Sequence, residues 1–312
     1  MTATSIAILM GATLLIVLIL WLVCEHGSFL LPSTRAGMRA GGVRNFLNLK
    51  GLHLYVYGRW PKQYLNVLIN HIYPRLGKQG QKWIRDRYHG KVLTHDLARK
   101  IITLNIDIPR VDLEQIIPYP MARDLVLKGP PDVVAFECPC RHLRANPCKP
   151  TQVCMAIGQP FADFMLEHHP GKSRRLTQDE ALDLLKGEHE RGHVHAAWFK
   201  DACLDRFYSI CNCCKCCCGG IEVMMKYSSP VVASSGFVAV VDAAQCTGCG
   251  ACTRSCPFNA SVSDGVAMVD WEKCLGCGVC EAQCPNGARM LVRDERKGVP
   301  LDVRFLVQGS ET

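Results

Sequence analysis

The longest apolar segment of the chain lies near its start, where residues 6–24 carry no charged side chain. A helix needs roughly 20 such residues to cross a bilayer. No lysine or arginine precedes the segment, and Glu25 and His26 follow it in place of a small-residue cleavage site, unlike a cleaved signal peptide. The pattern therefore predicts a retained single transmembrane helix.

Later segments carry shorter patterns. Residues 64–72 and 82–88 mix apolar and basic positions at helical spacing, which predicts a basic helical region. The apolar run 133–136 leads directly into Cys138 and predicts a strand that delivers a ligand loop. Thr177 and Glu180 form a capping box, which predicts a helix that runs to about residue 191 and ends at Gly192. From these patterns we expect a mostly helical middle domain.

Charge is concentrated in one part of the 312-residue chain, whose net charge is +8. Residues 31–100 contain 14 Lys and Arg but only Asp86 and Asp96 as acids. The positive-inside rule then predicts an N-terminus outside the cell membrane and a body on its cytoplasmic side. The basic stretch is interpreted as a surface for anionic lipid; an acidic partner protein remains an alternative, and no nucleic-acid motif is present.

Cysteine is the unusual residue, with 20 copies. All but Cys24 and Cys203 fall in tight clusters at metal-ligand spacing. Such clusters indicate metal binding in a reducing compartment and argue against disulfides.

Residues 245–285 contain the most specific pattern, a C-x2-C-x2-C-x3-C-P run that occurs twice. The first copy comprises Cys246, Cys249, Cys252 and Cys256, and the second comprises Cys274, Cys277, Cys280 and Cys284. Zinc sites also use C-x2-C pairs, but an all-thiolate zinc site needs only four cysteines, usually as two separated pairs. Glycines at 248, 250, 276 and 278 permit the tight turns that wrap a cluster.

Over residues 235–294 the chain resembles bacterial dicluster ferredoxins. The resemblance implies two [4Fe–4S] clusters in a pseudo-twofold βαβ fold, with the fourth cysteine of each run on the other cluster. One cluster is then held by Cys246, Cys249, Cys252 and Cys284, and the other by Cys274, Cys277, Cys280 and Cys256. Expected strands are residues 237–241, 266–269 and 288–292, with a turn at 263–265.

Ten further cysteines lie upstream: Cys138, Cys140, Cys148, Cys154, Cys211, Cys213, Cys214, Cys216, Cys217 and Cys218. Residues 138–218 resemble uncharacterised ferredoxin-tailed proteins of anaerobes, which implies iron–sulfur binding without an assigned reaction. We expect one or two additional [4Fe–4S] clusters here. A zinc site formed by Cys138, Cys140, Cys148 and Cys154 is the structural alternative. A catalytic cluster similar to the noncubane centre of heterodisulfide reductases is the third, although their CCG pattern is not matched.

Five histidines near these cysteines were weighed as ligands: His142, His168, His169, His193 and His195. No C-x-x-C-H motif occurs, which excludes covalent c-type haem. Isolated histidines of this kind are usually surface or hydrogen-bonded core residues. We interpret them as such.

Together these patterns predict an α+β protein. Its expected parts are a transmembrane anchor (1–25), a basic juxtamembrane helical region (26–110), a cysteine-rich metal-binding domain (111–230), a dicluster ferredoxin domain (231–295) and a tail (296–312). No dinucleotide fingerprint or P-loop occurs. The expected function is therefore single-electron transfer between redox partner proteins, with no nucleic-acid partner. The alternatives are an oxidoreductase with a catalytic cluster at 138–218 and a metal-delivery or assembly protein.

Overall fold

The computed structural model describes residues 49–308 continuously and, before them, residues 8, 10–16, 18–19, 24–25 and 28–40. The helices are α1 (Pro32–Ala40), α2 (Leu49–Arg59), α3 (Pro61–Val67), α4 (Lys78–Arg87), α5 (His95–Ile102), α6 (Phe161–His168), α7 (Gln178–Glu190), α8 (Gly219–Tyr227), α9 (Ala251–Ser255), α10 (Val279–Ala282) and α11 (Val303–Gln308). A π-helical turn, Leu68–Ile72, extends α3.

The strands are β1 (Tyr88–Leu93), β2 (Ile108–Asp112), β3 (Asp124–Leu127), β4 (Val133–Glu137), β5 (Gln152–Ile157), β6 (Ser173–Leu176), β7 (Val194–Lys200), β8 (Arg206–Cys213), β9 (Val232–Ala233), β10 (Phe237–Val241), β11 (Ser261–Asp264), β12 (Val266–Val269) and β13 (Arg289–Arg293). A two-residue hairpin also pairs Cys24–Glu25 with Ser28–Phe29. Nine strands form one sheet in the order β9-β1-β7-β8-β5-β4-β6, with β3 on β8 and β2 on β3. Its pairs are antiparallel except β9 with β1 and β3 with β8.

The large sheet is covered on both faces, which explains the composition of its central strands. Every residue of β7 is buried. Along β4, Val134 and Phe136 join a core with α2, α3, α6 and α8, whereas Val133 and Ala135 join a second core with α5, α7 and α11. This alternation follows from the two-residue period of a strand. The first core contains or contacts six of the ten upstream cysteines.

The predicted fold class is therefore wrong for the middle of the chain. The protein has a mixed α/β fold with a large sheet, and the middle region is not mostly helical. The reason is that strands buried on both faces appear in a sequence as continuous apolar runs. Such short runs do not differ in periodicity from buried helix segments.

The predicted transmembrane anchor is also contradicted. Among the residues that the structure describes, no helix is long and apolar enough to cross a bilayer. The predicted single-pass localisation in the cell membrane, with the body on the cytoplasmic side, is therefore contradicted as well. Residues 1–7, 9, 17 and 20–23 of the predicted anchor lie outside the described residues.

Several local predictions are confirmed. The capping box forms, with Thr177 accepting from the backbone N–H of Glu180 and the Glu180 carboxylate accepting from the backbone N–H of Thr177. The helix ends with Gly192 at φ +76°. Strands β10 and β12 have the predicted bounds, and β13 starts one residue later than expected.

Candidate metal centres

Two pairs of tight turns shape the C-terminal region. Gly248, Gly250, Gly276 and Gly278 all have positive φ angles, between 63° and 80°. A Cβ at Gly248 would lie 2.3 Å from the Gly265 carbonyl oxygen, and one at Gly276 would lie 2.2 Å from the Phe237 carbonyl oxygen. Only glycine fits these close approaches. The turns wrap two cavities, each of which is lined by four cysteines.

The first cavity, which we call cavity A, has a volume of about 310 Å³. Its cysteines are Cys246, Cys249, Cys252 and Cys284. The Ala267 N–H lies 3.4 Å from the Cys246 sulfur and lowers the pKa of that thiol. Burial raises the pKa of Cys252, but hydrogen bonds from Ser261 and Arg289 outweigh it and lower the pKa overall. Cys249 is exposed, so cavity A lies close to the surface.

The second cavity, cavity B, has a volume of about 360 Å³ and is lined by Cys256, Cys274, Cys277 and Cys280. Backbone N–H groups of Ala239 and Ala260 lie 3.5 and 3.2 Å from the sulfurs of Cys274 and Cys256, respectively. Burial raises the pKa of Cys280 to about 12. Each cavity thus takes three cysteines from one run and the fourth from the other. This is the arrangement that crossed ligation requires; the ligation itself stays a prediction.

One charged side chain, Arg289, lines both cavities. It is 3% exposed and donates from Nη2 to the Cys252 sulfur at 3.1 Å and to the Ser261 hydroxyl at 2.6 Å. Its other terminal nitrogen, Nη1, is buried and makes no hydrogen bond within the described residues. A buried cation at this position stabilises negative charge in the cavities. The cysteine spacing gave no sign of it.

A third and much larger cavity, cavity C, lies on the α2–α3 side of the large sheet and has a volume of about 1220 Å³. Its walls include seven of the upstream cysteines: Cys138, Cys140, Cys154, Cys211, Cys213, Cys214 and Cys218. Six of these thiols, all but Cys214, influence one another's pKa in neighbouring pairs from Cys211 through Cys154, Cys138, Cys140 and Cys218 to Cys213. Hydrogen bonding to Cys140 raises the pKa of Cys138 to about 12. Cavity C therefore gathers thiols from both upstream cysteine runs.

The sheet brings these distant cysteines together. Strand β5 lies between β4 and β8. Cys154 of β5 pairs with Phe136 of β4, and the next residue, Met155, pairs with Ile210 of β8. Arg141, which follows Cys140, is fully buried and pairs with Glu188 of α7 at 2.8 Å. It also donates to the carbonyl oxygens of Pro150 and Asn212. Arg141 thus connects the loop that carries Cys138 and Cys140 to the end of β8.

The walls of cavity C also carry hydroxyl groups. The Tyr57 hydroxyl lies 2.5 Å from that of Tyr208 and 3.0 Å from that of Tyr88. The Lys200 ammonium lies 4.4 Å from the ring centroid of Tyr88 and donates to the Tyr64 hydroxyl at 3.1 Å. Burial lowers the pKa of Lys200 and raises that of Tyr57. Tyr57, Tyr88, Tyr208 and Cys203 line cavity C, whereas Lys200 and Tyr64 contact these tyrosines without lining it. None of these residues had a recognisable sequence signal.

Four upstream cysteines form a second group, of which Cys214 also lines cavity C. The group comprises Cys148, Cys214, Cys216 and Cys217, with their sulfurs all within 4.8 Å of one another. A tetrahedral zinc ion with 2.3 Å bonds places its sulfurs about 3.8 Å apart. A cubane holds thiolates further apart, because each binds a different iron. The group therefore fits a single ion. The structure therefore groups Cys148 with Cys214, Cys216 and Cys217. The zinc site predicted from the sequence had grouped it with Cys138, Cys140 and Cys154.

The five histidines weighed as ligands have other contacts. His142 pairs with Glu137 at 2.6 Å, and His193 pairs with Glu188 at 2.6 Å. His168 contacts the Thr34 hydroxyl, and His169 contacts the Gly58 carbonyl oxygen. His195 contacts Asn212 and His95. None of the five lines cavities A, B or C.

Cavity B is the one nearer the middle region. Cys256, Cys274 and Cys277 belong to the same buried core as the thiols of cavity C, whereas the cysteines of cavity A do not. The Ser235 N–H donates to the Leu275 carbonyl oxygen at 3.0 Å. Gln283 donates to the carbonyl oxygen of Glu190, at the end of α7, at 2.8 Å. The C-terminal region therefore packs on the large-sheet domain through the cavity B side.

The C-terminal region has the sequence and geometry of an iron–sulfur module. Residues 239–285 match a family model described as a 4Fe-4S dicluster domain. No curated protein matches the chain. The protein thus carries a C-terminal 4Fe-4S dicluster domain, joined to a domain with further cysteine groups that can hold metal.

Proposed function

We propose that this chain is an iron–sulfur electron-transfer protein with two [4Fe–4S] clusters in cavities A and B and a third iron–sulfur centre in cavity C. A bound [4Fe–4S] cluster supplies one-electron transfer at a tunable potential. The observation that carries the proposal is the shared core of cavities B and C, which places the cavity C thiols, most of them buried, next to the dicluster domain.

The exposure of the cysteines supports a route from surface to interior. Cys249 of cavity A is exposed, so a redox partner protein has access there. The cavity B thiols Cys274 and Cys277 are 7% and 8% exposed. Electrons exchanged with a partner at cavity A would pass by way of cavity B toward cavity C. A suitable partner must have a compatible reduction potential and a surface that fits the region around Cys249.

The protonation of the cavity C thiols has a chemical consequence. Hydrogen bonding to Cys140 raises the pKa of Cys138, and burial raises that of Cys203. Thiolates are the metal-binding form, so metal uptake must expel these protons. Loading of cavity C should therefore become more favourable as the pH rises.

The proposal can be tested by EPR during stepwise anaerobic reduction of the full-length protein. We expect a spectrum of two interacting reduced clusters from the dicluster domain and a separate signal from cavity C. The separate signal should vanish in Cys154→Ser, while Met165→Leu, a volume-conserving control in the same cavity wall, should keep it. If wild type and Cys154→Ser give the same spectra, no iron–sulfur centre occupies cavity C.

A second function is favoured by the hydroxyl groups of cavity C. Tyr57, Tyr88 and Tyr208 line the cavity and offer O–H protons to a bound small molecule. This would suit an oxidoreductase that reduces a small molecule. Addition of cyanide as a probe should then shift the cavity C signal and leave the dicluster signals unchanged. A cavity C signal that does not respond favours simple electron transfer.

A further inference from the structure

Three histidines from separate elements meet at the edge of the large-sheet domain. His95 begins α5, His189 lies in the last turn of α7, and His195 is in β7. Their nearest ring nitrogens all lie within 4.8 Å of one another. His95 Nδ1 is 3.2 Å from His195 Nε2. The three positions are far apart in sequence, so no spacing motif marks them.

A neighbouring amide fixes the protonation of the buried member. Asn212 donates from Nδ2 to the Val153 carbonyl oxygen at 2.8 Å, so its Oδ1 is the atom that faces His195. His195 Nδ1 lies 2.6 Å from that oxygen and must donate to it. The lone pair of neutral His195 is therefore on Nε2, which faces His95. Metal-binding histidines are commonly oriented in this way by a carbonyl or carboxylate oxygen.

The ring arrangement also matches a shared ion. Ligand bonds of about 2.1 Å put each imidazole centroid about 3.2 Å from the metal. Two such rings separated by 90–120° then have centroids about 4.5–5.5 Å apart. The observed separations are 4.5 Å for His95 and His189, 5.4 Å for His95 and His195, and 5.8 Å for His189 and His195. The first two fall within this range, and the third is slightly wider.

The imidazoles are available as ligands. Burial lowers the pKa of His195 to about 3 and that of His95 to about 4, so both are neutral at physiological pH. His195 is fully buried, whereas His95 and His189 are partly exposed, which leaves an approach for an ion from solvent. Arg99, Asp96 and Glu190 are the charged groups that act on His95, and the two carboxylates offset the charge of the arginine.

We propose that His95, His189 and His195 form a mononuclear site for a divalent first-row transition-metal ion, separate from the cysteine groups. Three neutral imidazoles suit Zn²⁺, Fe²⁺ or Cu²⁺ and leave a coordination position open for water. Glu281 of α10 lies close enough to His189 to act on its pKa. On the other side of the site, His195 contacts Asn212, which lies between the cavity C cysteines Cys211 and Cys213. An ion there would stabilise the junction of the dicluster and large-sheet domains.

The test uses Zn²⁺ with anaerobic full-length holoprotein. After equilibration with zinc and removal of free ion, zinc per chain is measured by mass spectrometry and its ligands by zinc K-edge absorption. We expect His189→Ala to hold about one zinc less than wild type and to lose a nitrogen shell at about 2.0 Å. A sulfur shell at about 2.3 Å from the four-thiol group should remain in both.

His95→Ala is a second variant of the site, and His142→Ala is the control, since His142 is a partly exposed histidine paired with Glu137. The control should match wild type in zinc content and in nitrogen shell. Equal zinc and equal spectra for wild type and both site variants would overturn the proposal. The three rings would then be a hydrogen-bonded and stacked cluster without an ion. Far-ultraviolet circular dichroism checks that each variant is folded.

Discussion

Arg289 shows how a single residue can set the properties of the dicluster domain. The two cysteine runs end at Pro257 and Pro285. Ala260 and Ser261 follow the first proline at the same spacing as Ala288 and Arg289 follow the second, so Arg289 occupies the position of Ser261 in the internal repeat. The two side chains hydrogen-bond across the pseudo-twofold axis. The guanidinium therefore lies between cavities A and B and touches the Cys252 sulfur. Net charge and hydrogen bonds to sulfur are the main determinants of cluster potential.

Replacement of Arg289 by Gln should lower the reduction potentials of the dicluster domain, because a buried positive charge that favours the reduced state is lost. A unit charge about 6 Å away at an effective dielectric constant of about 20 is worth on the order of 100 mV. Protein-film voltammetry measures the shift. Arg296→Gln removes an exposed charge and should change the potential little. Equal potentials for wild type and Arg289→Gln would refute the role assigned to Arg289.

Lys91 in β1 is a second buried cation, 2% exposed. Burial, and then repulsion from Arg293 of the dicluster domain, lower its pKa to about 7 from an ordinary value of 10.5. Between these values the unfolded chain binds one more proton than the folded chain. The free energy of unfolding should therefore rise with pH across this interval, by up to about 1.4 kcal/mol per pH unit.

Lys91→Met should remove this pH dependence and stabilise the protein at pH 7, since an apolar side chain of similar length has no desolvation cost for a charge. Anaerobic urea unfolding at pH 7, 8 and 9 measures both effects. Lys128→Met, at an exposed position, serves as the control and should keep the slope of wild type. If the free energy of unfolding of Lys91→Met still rises with pH as in wild type, groups other than Lys91 cause the pH dependence and the prediction is wrong.

At the scale of elements, α7 has a larger role than its sequence indicated. Its Glu188 is 1% exposed and pairs with Arg141, Arg191 and His193. Through Arg141 it reaches both cysteine loops of cavity C. Loss of one partner from a buried ion pair typically costs about 3–5 kcal/mol.

Glu188→Gln should therefore lower the free energy of unfolding by about 3 kcal/mol and weaken cluster retention in cavity C. The dicluster domain should keep its clusters. Anaerobic unfolding and iron analysis measure the two effects, and Asp183→Asn, an exposed position on the same helix, is the control. A loss below about 0.5 kcal/mol, the usual surface effect, would contradict the role of this pair.

Prediction from sequence succeeded where the determinants are local. The glycines of the cluster turns, the capping box at Thr177 and strands β10 and β12 all follow from residues a few positions apart. It failed for the large sheet, because pairing such as β1 with β7 joins segments about 100 residues apart. The same limit applies to the sites. Cys148 joins Cys214, Cys216 and Cys217, and His95 joins His189 and His195, only through the sheet.

At the scale of the whole molecule, the three thiol-lined cavities should load independently, since they share no cysteine. Cys249→Ser should lose or alter the cluster of cavity A alone, because Cys249 lines only that cavity. Metal in cavity C should be unchanged. EPR and iron analysis check this, with Thr247→Ser in the same loop as the control. Unchanged cluster spectra in Cys249→Ser would falsify the ligand assignment.

The central claim is that cavity C holds an iron–sulfur centre in addition to the dicluster domain. Iron and acid-labile sulfide per chain in anaerobically purified protein test it most directly. Two [4Fe–4S] clusters account for about eight irons, and a third cubane brings the total to about twelve. We expect twelve or more irons per chain, with a fall to about eight in Cys154→Ser. About eight irons in both proteins, with zinc as the only other metal, would contradict it.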